Sequence, residues 1–276
     1  MNRFFKLVHF EWSRFFKIYL VLIGITTLFQ IIAVITESKT YLNRANDLIY
    51  KELMPKAQFI EEYGSFSFFE VTNSTWFLGP IALSVAALLI YVFFIWYRDW
   101  LGKNTFAYRL LMLPTTRMNV YLAKATTILL FVLGLVALQL LLLPVEGQVI
   151  KWLVPNEFRS DLSVYEITKL NYLNLFFPRT FLEFVIYYGA GMIAVLTVFN
   201  AILFERSFRL KGIFYGILYC AAALFIFLIP ILVDAYIIQN YFYPMELFIM
   251  EVIVSLLILA GTLWIGNYLM KNKIRV

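Results

Sequence analysis

Charge is scarce in this chain. Only 14% of its 276 residues are Asp, Glu, Lys or Arg, 62% are hydrophobic, and the mean hydropathy is +0.81. A soluble domain carries about 25% charged and about 45–50% apolar residues, so polar side chains here are too few to coat a water-facing surface. The surrounding medium is lipid. Histidine and cysteine are nearly absent. His9 and Cys220 stand alone, which excludes an internal disulfide, a CxxC redox or metal motif, and most triad chemistry within the chain. No G-x-x-x-x-G-K-[ST] loop occurs, so no phosphate-cradling turn of that kind is present. The net charge of +6 and the basic pI do not point to nucleic acid. The basic residues fall in short clusters between apolar runs rather than in one patch.

Six segments have the roughly 20 apolar residues needed to cross the hydrocarbon: Ile18–Thr36, Trp76–Tyr97, Val120–Leu143, Phe181–Phe204, Ile213–Val233 and Leu247–Leu269. Each must be helical, because backbone in lipid has to satisfy its own hydrogen bonds. The fold class expected is an all-α integral membrane protein, a single transmembrane domain over 1–276. The first span is too long for a signal-peptide core and no small-residue cleavage site follows it, so it is expected to be retained. Lys and Arg set the orientation. The N-terminus, the 98–119 connection, the 205–212 connection and the tail hold 14 basic residues against Glu11, Asp99 and Glu205. The loops 37–75 and 144–180 hold 8 basic and 10 acidic residues. The first group is expected to be cytoplasmic, with both termini inside and the protein multi-pass in the cell membrane. The two long loops are then extracytoplasmic, and stretches such as Tyr41–Tyr63 are expected to form short outer helices or plain connectors.

Residues 1–17 read as an amphipathic helix lying in the membrane interface. Arg3, Lys6, Arg14 and Lys17 project to one face, and Phe4, Phe5, Leu7, Val8 and Trp12 to the other. Glu11 breaks the pattern by projecting into the apolar sector, where it pairs with Arg14 or with a neighbouring helix, or serves a function of its own. The connection 98–119 is longer than a turn needs. A short helix around Phe106, Tyr108, Arg109 and Leu110 is expected there, stopped by Pro114. It reads either as a docking surface for a cytoplasmic partner or as an ordinary basic loop.

The run "FAYRLLMLPTTRMNVYLAK" resembles the L-x-x-LP-x-S/T-R-x6-K signature of the ABC transporter type-2 permease family, at Leu110, Leu113, Pro114, Thr116, Arg117 and Lys124. The amphipathic start with an acidic residue, the six spans and the cytoplasmic termini resemble that family too. The resemblance implies the membrane subunit of an ATP-driven exporter, a permease dimer or pair of homologues with an ABC ATPase dimer. It implies ATP and Mg2+ on that partner, no cofactor in this chain, and an ATPase-coupling role for Phe106, Tyr108, Arg109, Leu110, Leu113, Pro114 and Arg117. The expected cargo is amphipathic or lipophilic: a peptide, an antibiotic or a lipid-like molecule.

Acidic residues near the expected outer ends of spans, Glu183, Asp234 and Glu251, are candidates for a substrate pathway. The plainer reading is local pairing, since charge at membrane depth usually faces protein or water. Gly212, Gly216, Cys220 and Ala223 form a small-residue stripe for close helix packing, against a second copy or within the subunit. A secondary carrier would show inverted repeats and broken helices, of which only Pro230 is a hint. An intramembrane enzyme lacks a catalytic set, and a non-transporting sensor or assembly subunit of the same ATPase remains an alternative.

Overall fold

The computed structural model describes residues 3–100, 110, 115–170, 173–237 and 241–274. The helices are α1 (Arg3–Asn46), α2 (Lys56–Tyr63), α3 (Phe68–Thr72), α4 (Thr75–Trp100), α5 (Arg117–Leu153), α6 (Val164–Ile167), α7 (Leu173–Phe176), α8 (Phe181–Phe208), α9 (Leu210–Tyr236) and α10 (Pro244–Tyr268). No strand occurs among the described residues, and the only sheet-like pairing is a single bridge between Phe66 and Arg159. Six helices, α1, α4, α5, α8, α9 and α10, are long and apolar enough to cross a membrane. They fall on the six apolar runs.

Two features differ from the sequence-based outline. Residues 3–17 are not a separate element, because α1 runs unbroken for 44 residues. It has no proline, and Gly24 is its only glycine. At 1.5 Å per residue it is about 66 Å long, well beyond the about 30 Å of hydrocarbon. The loops 37–75 and 144–180 also begin as helix. Ala33, Val34, Ser38, Tyr41 and Ala45 continue a buried stripe along α1, and Leu143, Glu146 and Ile150 do so along α5. Hydropathy falls at Glu37 and at Pro144, but the buried face does not end there. Pro144 removes one backbone donor inside α5 without stopping it.

The chain divides into two compact units. One comprises Phe15–Leu88 and Phe131–Pro178. Its core gathers aromatic rings from the loops onto the helix ends. Tyr41 meets Phe59 and Phe66 with centroids 5.7 and 5.3 Å apart, and Phe68 meets Phe77 edge-on at 6.1 Å. Phe66 N–H donates to Phe158 O, and Ser160 N–H donates to Phe66 O. Arg159 donates to Val154 O and Lys151 O, so it satisfies carbonyls that the C-terminal end of α5 would leave unpaired. Tyr41 Oη donates to Gly64 O at 2.8 Å, where Gly64, at φ +77°, ends α2. The 37–75 and 144–178 segments are thus a folded piece with its own apolar centre.

The other unit comprises Met1–Arg14, Leu89–Leu130 and Arg179–Val276. Within it, α8 and α9 form a hairpin turned at Arg209, at φ +55°. A Cβ on Gly212 would collide with Phe204 O, and one on Gly216 would stand 2.9 Å from Ala201 O. The small-residue stripe therefore begins by packing α9 against α8 of the same subunit, with Cys220 and Ala223 half-buried beyond.

Candidate functional site: a buried ionic network

Three helix segments bring charges together in the second unit: the start of α1, the end of α4 and the start of α5. Lys124 is completely buried in an otherwise apolar stretch of α5. An ammonium has three N–H donors, and all three are used. Lys124 Nζ donates to Glu11 Oε1 at 2.6 Å, to Asp99 Oδ2 at 2.5 Å and to the Ile95 carbonyl at 2.9 Å. The other carboxylate oxygens are occupied too. Arg14 donates to Asp99 Oδ1 at 2.6 Å, and Arg98 to Glu11 Oε2 at 3.1 Å. Arg14 also stands 3.7 Å from Glu11 Oε2. Three cations meet two carboxylates, both carboxylates are buried, and the Trp96 ring lies 5.2 Å from Lys124 Nζ.

The physical weight of such a cluster lies in breaking it. Assembling buried charges gains little over well-packed apolar groups, but removing one partner leaves a charge without compensation, at about 3–5 kcal/mol. The ends of α1, α4 and α5 are therefore tied to one another. Around the network, Trp96, Tyr121 and Phe199 pack as a triad with centroids 5.4–6.2 Å apart. Tyr97 donates to the Glu205 carboxylate, and the Arg206 guanidinium lies 5.0 and 5.1 Å from the rings of Tyr97 and Trp100.

A second buried polar group joins α5, α8, α9 and α10. Asn200 Nδ2 donates to Thr262 O at 2.8 Å and to Tyr219 Oη at 3.2 Å. Its Oδ1 lies 3.1 Å from the Tyr121 hydroxyl, which also reaches Leu196 O at 3.0 Å. Gly266 permits this closeness, since a Cβ there would meet Asn200 Oδ1 at 2.9 Å.

The residues singled out in the sequence fall as follows. Glu11 pairs with both Arg14 and neighbouring helices, while Arg3, Lys6 and Lys17 are exposed. Leu110 is buried against Leu7, Val8, Val120 and Ala123, which places that position of the 98–119 segment on the first turns of α1 and α5. Phe106, Tyr108, Arg109, Leu113 and Pro114 lie outside the described residues. Arg117 Nη1 donates to Met270 O and Ile274 O, at 2.7 and 2.8 Å, tying the start of α5 to the end of the chain. Glu183 caps α8: its Oε2 accepts from Arg179 N, while its own N–H donates to Thr180 Oγ1. Asp234 is buried and accepts from Phe242 N at 3.1 Å. Glu251 is half-buried with neither oxygen hydrogen-bonded to protein. These three carboxylates have no hydrogen-bond partner in common.

Arg98 and Asp99 entered the sequence reading only as loop charges, yet they complete the network. A signal for it existed. Glu11 in an apolar sector and Lys124 in an apolar run are two misplaced charges of opposite sign. Among the described residues no three His, Cys, Asp or Glu side chains gather as a metal site requires. No family model, no curated protein and no solved structure matches this chain.

Proposed function

We propose that this chain is the membrane-spanning permease subunit of an ABC-type exporter, working as a pair of permeases with a cytoplasmic ABC ATPase dimer that binds ATP and Mg2+. The cargo is amphipathic or lipophilic, the termini are cytoplasmic, and segment 98–119 is the element on which the ATPase acts. The observation that carries this reading is the place of the ionic network along the chain. Arg98 and Asp99 open the segment, Lys124 closes the signature-like run that overlaps it, and Glu11 and Arg14 belong to α1. A push on the segment is thereby delivered to three membrane helices at once. The network resists partial opening because any single displaced partner strands a buried charge. Movement as a unit keeps every pair intact, which is what a transmission element requires.

Leu110 adds an apolar anchor from within the segment onto α1 and α5. Arg117, one of the ATPase-coupling residues the resemblance implies, donates to the Met270 and Ile274 carbonyls, and in this reading it positions the entry to α5. The test is retention of an ABC ATPase by the chain purified in lipid. Loss on Phe106→Ala or Tyr108→Ala supports the segment as the docking element. Absence of any ATPase from the wild-type preparation counts against the reading.

A further inference from the structure

Glu146 lies on α5 seven residues before the helix ends at Leu153, fully buried, and neither of its carboxylate oxygens meets a hydrogen-bond donor. Glu11 and Asp99 are as deeply buried, but each of their oxygens has a cationic partner. The register of α1 against α5 shows what stands opposite. Tyr19 Oη donates to the Phe131 carbonyl, a separation of 112 in sequence, and Gln30 Nε2 donates to Gln139 Oε1, a separation of 109. The two helices therefore run in the same direction, with facing residues slightly over one hundred positions apart. Two turns further on, Ser38 comes level with Glu146, 108 positions away. Ser38 is fully buried as well, and its hydroxyl has no protein partner. One step back, Gln30 Oε1 and Gln139 Nε2 are left over from the amide pair.

Among the described residues, no cation pairs with Glu146. Val34, Leu143, Ile150, Phe66 and Phe77 belong to the same buried cluster and are apolar. Of the ionisable groups on the elements of that cluster, Lys39, beside Ser38, is exposed, and several others have partners of their own. Tyr41 donates to Gly64 O, Glu70 has Glu37 and Arg44 as its electrostatic neighbours, and Asp47–Lys51, Lys56–Glu157 and Lys151–Asp161 pair at the surface. An isolated carboxylate in an apolar interior is strongly disfavoured unless a positive charge joins it.

We propose that Glu146, with Ser38 across the seam, is a binding site for one small monovalent cation, a hydron or a sodium ion. The cation supplies the positive charge that no neighbouring side chain supplies. Ser38 Oγ, a buried neutral oxygen without a protein partner at the facing register position, is the second oxygen the site offers. A hydron adds to the carboxylate and makes the acid, whereas a sodium ion coordinates the carboxylate without forming a covalent bond. Pro144 and Gly147 flank Glu146. Proline gives no N–H to the carbonyl four residues earlier, and glycine is a weak helix former, so this turn opens more readily than its neighbours and gives the cation a way in. The site stands independently of the exporter reading.

The experiment measures the unfolding temperature of the full chain in nanodiscs across acid to alkaline buffers, with sodium, potassium or choline chloride at equal ionic strength. A ligand bound by the folded state alone raises the folded-to-unfolded ratio about tenfold for each tenfold rise in free ligand above its dissociation constant. The wild type should follow that dependence, Glu146→Gln should lose it, and Ser38→Ala should move it to higher cation concentration. Stabilisation by acid alone identifies the hydron. Stabilisation by sodium in alkaline buffer identifies the metal ion. If Glu146→Gln does not fold, hydrogen exchange of amides 142–150 in the wild type gives the reading, and the cation should slow exchange there more than in the rest of the chain. A wild type indifferent to both cations, a Gln variant with the wild-type response, or uniform slowing of exchange overturns the proposal.

Discussion

Lys124 Nζ and Glu11 Oε1 are 2.6 Å apart although 113 positions separate the two residues. Both sit where a charge alone is untenable, Lys124 in an apolar helix and Glu11 on the apolar side of another. Each makes the other tolerable. Lys124→Met should therefore leave Glu11 Oε1 and Asp99 Oδ2 buried without a donor, each carboxylate keeping only its arginine, and destabilise the folded chain by about 3–5 kcal/mol. Glu11→Gln/Lys124→Met should lose less than the sum of its two single changes, because the second change removes the charge that the first one strands. Thermal unfolding in detergent of the single and double variants checks this. Additive losses mean that the two side chains do not interact.

Variants of the 98–119 segment separate docking from packing. Leu110 is buried within the chain itself, so Leu110→Ala should lower the stability of the isolated subunit by about 2 kcal/mol or more. Phe106→Ala and Tyr108→Ala should leave that stability unchanged and weaken association with the ATPase by about 2 kcal/mol. Arg109→Ala should fall between these and Lys103→Ala, since an exposed ion pair contributes only about 0–1 kcal/mol. Unfolding curves of the subunit and co-purification yields, measured on the same variants, give the two readouts.

Topology is checked by thiol labelling in a Cys220→Ala background. Cysteines introduced at positions 60 and 165 should react with an impermeant reagent added to intact cells, and cysteines at 103 and 209 should not. Labelling at 103 from outside reverses the orientation and removes the segment from any cytoplasmic partner.

The α6 cap gives a pH test. Ser163 N–H and Oγ both donate to Glu166, at 2.7 Å, and these bonds hold the Glu166 carboxyl below its ordinary pKa. A depressed acid contributes stability above its unfolded-state pKa and loses it as pH falls through the folded value. Amide exchange over residues 164–168 should accelerate in Glu166→Ala at neutral pH. That difference should vanish in acid, below the lowered pKa. A difference that persists in acid assigns the protection to something other than the carboxylate.

The six helices long and apolar enough to cross a membrane were legible because composition and run length can be read directly along the chain. The pairing of Glu11 with Lys124 was not. Each charge was visibly out of place, but which misplaced charges meet depends on how α1 packs against α5. Arg98 and Asp99 looked like ordinary charges of a basic connection, and only the geometry of the helix ends turns them inward. Glu146 was hidden for another reason. The fall in hydropathy at Pro144 put the end of the third span before it, whereas Leu143, Glu146 and Ile150 keep that face of α5 buried into its last turns. The small-residue stripe was legible as a packing face, but its partner, α8, emerged only from the close approach at Phe204 and Ala201.

The central claim is that an ATPase acts on this chain through segment 98–119 and the network behind it. The most direct measurement is ATP turnover, in lipid vesicles, by the ABC ATPase encoded nearest to this chain, with wild-type subunit, Tyr108→Ala or Lys124→Met, alongside export of an amphipathic fluorescent cargo. The wild type should bind the ATPase and couple its turnover to export. Tyr108→Ala should lose the complex, and Lys124→Met should keep the complex but hydrolyse ATP without export. A wild-type subunit that neither retains the ATPase nor changes its turnover contradicts the account.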